Sequence, residues 1–157
     1  MISEGILEKH YEQIAEKLDE LIPIEWDRIV MYGEEIGDAS AICIYYYTDN
    51  CTKVHHSGNI PEEFNVDEHI VDLLENELMD INKNLWLEFK KAGEPTWCSL
   101  TFYLENTWQF KIKYGYERDA EIGHLGRVIR WAYDELGIIP KDDYEKKLLD
   151  EYLESQK

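Results

Sequence analysis

The stretch Ser40-Ala41-Ile42-Cys43-Ile44-Tyr45-Tyr46-Tyr47-Thr48 decides the fold class. It is uncharged and rich in β-branched and aromatic residues, which fit a pleated, half-buried strand. On such a strand Tyr46 faces away from Tyr45 and Tyr47, so one side belongs to a core and the other is free to be covered or to make contacts. Just upstream, 27–34 reads as another strand, and Ile36-Gly37-Asp38-Ala39 between them supplies the turn chemistry of a hairpin. Downstream, Lys53-Val54-His55-His56 reads as a short third strand before Gly58 and Pro61 break the chain.

Helical periods flank this run of strands. Over 4–22, Leu7, Tyr11, Ile14, Leu18 and Leu21 recur at spacings of three and four, and Pro23 closes the segment. Over 66–91, Ile70, Leu73, Leu74, Leu78, Ile81, Leu85 and Phe89 form an apolar stripe. Asn65 with Glu68 resembles a capping box at its start, and Gly93 and Pro95 supply the stop. Two strands follow at 97–104 and 108–116, then helices at 121–136 and 142–154. The order α-β-β-β-α-β-β-α-α describes an α+β fold, an antiparallel sheet of about five strands with helices packed on it. A chain of 157 residues suits one domain spanning 1–157.

Composition narrows the function. With 44% hydrophobic and 13% aromatic residues, the chain has ample material for a core. No apolar run reaches the ~20 residues of a membrane span. The acidic N-terminus lacks the pattern of a signal peptide, which predicts a cytoplasmic protein. Cys43, Cys51 and Cys98 form neither a disulfide framework nor a zinc motif. The 34 Asp plus Glu against 16 Lys plus Arg give a formal charge of -18, which excludes direct binding to nucleic acid or anionic lipid.

That charge is unevenly spread. Residues 1–82 carry 20 acids and 4 bases, whereas residues 83–157 carry 14 and 12. A negative field of this kind keeps a protein soluble, and it also steers basic partners. On an ideal helix Glu68, Asp72, Glu75, Met79 and Trp86 fall within about 60° of one another. With Glu62 and Glu63 just upstream, Glu68, Asp72, Glu75 and Trp86 form a candidate partner-binding surface, an apolar anchor beside steering charge. The same spacing also fits a helix buried on two sides, with Trp86 in the core. Glu77 interrupts the apolar stripe without an evident reason.

Catalytic signatures are scarce. There is no phosphate loop, dinucleotide fingerprint, H-E-x-x-H or G-x-S-x-G. A small hydrolase using His55 or His56 with a carboxylate remains the enzymatic alternative. Adjacent side chains on a strand point to opposite faces, which argues against both histidines holding one metal ion. A general acidic interaction module is the other alternative.

Several local signatures together carry a resemblance. They are Ile22-Pro23-Ile24-Glu25-Trp26, then Ile60-Pro61 with Phe64-Asn65-Val66, then Trp97-Cys98-Ser99-Leu100-Thr101. Phe110-Lys111-Ile112-Lys113-Tyr114-Gly115-Tyr116-Glu117 follows, and Trp131-Ala132-Tyr133 with Leu136-Gly137-Ile138-Ile139-Pro140 completes the series. In this order and spacing the chain resembles the YezG-like immunity proteins, antitoxins of secreted LXG-type polymorphic toxins. Gly115 departs from the pattern, standing where an acid is expected between the two tyrosines. The resemblance implies an α+β antitoxin with no catalytic activity, cofactor or metal. It further implies a cognate partner, the C-terminal toxic domain of such a toxin, typically a nuclease. A nuclease presents a basic groove, which an acidic inhibitor can occupy in place of nucleic acid.

Overall fold

The computed structural model describes residues 1–157, which form two compact units, Met1–Glu117 and Arg118–Lys157. The first begins with α1 (Glu4–Leu21), whose N-cap Ser3 accepts the Ile6 amide at 3.3 Å. Strands β1 (Arg28–Glu35), β2 (Ser40–Thr48) and β3 (Lys53–His56) follow. A single 3-10 turn, Ser57–Asn59, leads into α2 (Ile60–Phe64) and then α3 (Glu68–Lys91), and β4 (Ser99–Glu105) and β5 (Phe110–Gly115) complete the unit. The expected order is present, and α2 is an addition. Pro61 sits at the first turn of that helix rather than breaking the chain, because proline's fixed φ and missing N–H cost nothing there.

The five strands form one antiparallel sheet in the order β3-β2-β1-β4-β5. Register places Met31 between Ile44 and Phe102, and Ile29 between Tyr46 and Leu104. These residues and Leu100 form a layer that is essentially closed to solvent, together with Ile14 and Leu18 of α1 and Leu78 and Leu85 of α3. Helices α1 and α3 pack together over this face. Val30, Tyr32, Glu34, Cys43 and Thr101 on the other face are buried as well. Central strand β1 is therefore shielded on both sides, which is why it reads as an apolar run rather than a strict alternation.

Three details of α3 differ from expectation. Its N-cap is Asp67, which accepts the His69 amide at 2.9 Å. Asn65 instead closes α2 in a left-handed conformation (φ 54°), a role asparagine fills well. Val71 enters the core, while Ile70 and Leu73 stand 52% and 57% exposed, so the start of the stripe is rotated by about one residue. Glu77 lies where α1 meets α3 and pairs with Lys17, which accounts for its place in the stripe.

The second unit holds α4 (His124–Leu136) and α5 (Asp143–Ser155), which pack against each other. Gly137 stops α4 with φ 67°, where its amide and that of Ile138 reach back to Tyr133 and Ala132. Arg130 lies 4.7 Å from the Tyr152 ring centre, and the Tyr152 hydroxyl donates to Asp134 at 2.6 Å.

Candidate partner-binding surface

The acids singled out by sequence fall at two helix starts. Glu62 and Glu63 occupy the first turn of α2, and Glu68 the first turn of α3. Carboxylates are favourable there because they face the unpaired N–H groups and the positive end of the helix dipole. Glu62, Glu63, Glu68 and Asp72 are all exposed. Glu75, one turn further along, is half-buried and accepts a long hydrogen bond of 3.5 Å from Ser57 Oγ. Burial pushes the Glu75 carboxyl above its ordinary range, and the nearby Asp72 charge adds to the rise.

These residues do not form one uniform ridge. Glu63 turns toward β3, with Oε1 3.7 Å from His55 Nδ1, whereas Glu75 turns toward the 3-10 turn. Trp86 stands apart from both. It lies about 16 Å along the helix axis from Glu75 at 1.5 Å per residue. It is 8% exposed, and its indole donates to the Trp97 carbonyl. Of the two readings of its spacing, the helix buried on two sides is the observed one.

The histidines point to opposite faces, as strand geometry requires. His55 stacks on the Tyr46 ring (centroids 4.8 Å apart, planes at 14°), and its Nε2 lies 2.8 Å from Thr48 Oγ1. His56 lies against the Tyr45 ring, with Cys43 Sγ 3.7 Å from its Nε2. No group of three or more His, Cys, Asp or Glu side chains is placed to hold a metal ion. No helix is long and apolar enough to cross a membrane. At Gly115 a Cβ would meet Ser99 Oγ on the neighbouring strand β4, a contact that rotation of the serine hydroxyl relieves.

Comparison with known proteins decides among the remaining readings. The family model described as immunity protein YezG-like matches residues 7–150. The chain belongs to the YezG-like immunity protein family. This is a family of immunity proteins, not of enzymes. Immunity protein YezG of Bacillus spizizenii is 35% identical over 147 residues, covering 92% of this chain and 91% of its own. The YezG of Bacillus subtilis is 30% identical over 145 residues, covering 91% and 96%. Type VII secretion system protein EsaG of Staphylococcus aureus is 28% identical over 148 residues, covering 92% and 90%. The YezG-like match takes in all five strands and both long helices α1 and α3 almost completely.

Proposed function

We propose that this chain is a cytoplasmic antitoxin, a single immunity domain over 1–157. It binds and neutralises the C-terminal toxic domain of a cognate secreted LXG-type toxin. That domain is a nuclease, and an acidic surface on this chain competes with nucleic acid for it. The observation that carries the reading is the family membership taken with the charge distribution. Residues 1–82 hold 20 acids against 4 bases, and Glu62, Glu63, Glu68 and Asp72 among them reach solvent. A nucleic-acid-cleaving domain needs clustered Lys and Arg to hold phosphates, so opposite charge accelerates encounter and blocks the same surface.

The test is co-expression with the toxic domain encoded beside the gene for this chain. Rescue of growth, a complex on gel filtration and nuclease activity lost on mixing are expected. Failure of rescue together with absence of a complex overturns the proposal. Reversing Glu62, Glu68 and Asp72 to lysine slows association at low salt, and the effect fades as salt is raised.

A further inference from the structure

Every connection at one end of the sheet gathers around a single groove. The α1–β1 loop (22–27), the β2–β3 tip (49–52) and the β4–β5 tip (106–109) all emerge there, and α2 closes one side. Ile24, Phe64, Trp26 and Trp108 supply its apolar lining. Trp108 is 47% exposed and sits edge-on to Trp26, with ring centroids 6.5 Å apart. Its backbone is left-handed (φ 69°), which is uncommon for so bulky a residue and costs roughly 1–2 kcal/mol. Asp49, Asn50 and Cys51 at the neighbouring tip are left-handed too.

The polar lining is of one sign. Asp19, Glu25, Asp27, Asp49 and Glu63 border the groove against a single ammonium, Lys53, which is held by Asp49 at 3.2 Å. Two of the carboxylates are fixed by the fold, Asp19 by the Trp26 indole N–H at 3.0 Å and Asp27 by the Cys51 amide at 3.1 Å. Glu25 is exposed and has no side-chain partner. An exposed indole beside a surplus of carboxylates, with Glu25 free among them, suits a guanidinium or ammonium, whose stem packs on the ring while its head meets the acids. An anionic or purely apolar occupant finds the wrong charge here.

We infer that this groove anchors the partner: a lysine- or arginine-bearing segment of the toxic domain lies between the hairpin tips, against Trp108, while the carboxylates at the starts of α2 and α3 steer it in. This rests on the antitoxin reading above and assigns the contact within it. Trp108 contributes to holding the complex, so it acts on dissociation. Glu25 contributes to the field, so it acts on association.

The experiment measures association and dissociation rates of the full chain with the purified C-terminal domain of the adjacent toxin. Trp108→Ala raises the dissociation rate about tenfold, with association nearly unchanged. Glu25→Lys slows association about three- to tenfold at low salt, and Glu8→Lys on α1, an equal change of charge away from the groove, does much less. Because substitution at the strained tip also alters the free protein, hydroxyl-radical footprinting of the parent complex gives a readout without mutation, with Trp108 protected from oxidation. Rates for both groove variants within about twofold of the parent, or an unprotected Trp108, overturn the groove and leave the antitoxin reading intact. No complex with the parent chain overturns both.

Discussion

The indole N–H of Trp86 donates to the main-chain carbonyl of Trp97 across 2.9 Å, tying α3 to the residues that enter β4. Trp86→Phe keeps most of the ring but leaves a buried carbonyl without its donor. Stability falls by about 1–3 kcal/mol, read as a lower urea midpoint at unchanged m. Affinity for the toxic domain is unaffected. A weakened complex at unchanged stability would return Trp86 to the contact surface.

Glu35 is fully buried and without a salt bridge, yet its carboxylate accepts the Gly37 amide at 2.9 Å and the Ser40 hydroxyl. It thereby holds both sides of the β1–β2 turn. Glu35→Ala leaves the half-buried Gly37 amide without its acceptor, while the exposed Ser40 hydroxyl turns to water, and costs about 1–3 kcal/mol in chemical denaturation. Glu35→Gln costs less, because its amide oxygen still accepts one of them.

Glu75 links stability to pH. Its native carboxyl holds a proton to higher pH than the unfolded chain does, chiefly through burial. Stability from this group is therefore greatest in acid, falls as pH rises through the raised native value, and then levels off. Glu75→Gln removes the fall. The stability difference, variant minus parent, starts near zero below the ordinary carboxylate range and grows to a positive plateau at neutral pH. Paired denaturation curves across that range check the sign, and a negative plateau contradicts it.

The rotated stripe on α3 separates two kinds of leucine. Leu78 is completely buried, and Leu78→Ala costs about 2–5 kcal/mol. Leu73 is mostly exposed, and Leu73→Ala stays within about 0.5 kcal/mol of the parent. Thermal unfolding of the two variants side by side tests the rotation.

These contrasts show what the chain's pattern conveys. Period-two alternation around Tyr45, Tyr46 and Tyr47 and period-3.6 stripes mark β2 and the long helices, because burial on one face writes its own period, whereas β1, buried on both faces, shows as an apolar run. The helix α2 is not legible in the sequence, because a helix of five residues has too few turns to show a period and Pro61 resembles a stop. Ile70 and Leu73 misled because an apolar residue is free to stand in water, so only the packing of α1 against α3 selects Val71. The acids at the helix starts were visible as composition. Trp108 was not, since its position depends on two hairpins and the α1–β1 loop reaching the same end of the sheet, a relation of register rather than of local sequence.

The gathering of those three connections has an evolutionary consequence. The tips at 49–52 and 106–109 bring no residue to the buried core and lie outside the strands, so their identities are only loosely coupled to whether the chain folds. Left-handed positions there admit glycine or asparagine more readily than Trp108, Asp49 or Cys51. On the groove proposal above, a lineage exchanges one adversary for another by redrawing a few tip residues over an inherited scaffold. Recognition in such a chain is free to drift quickly while its interior stays nearly fixed.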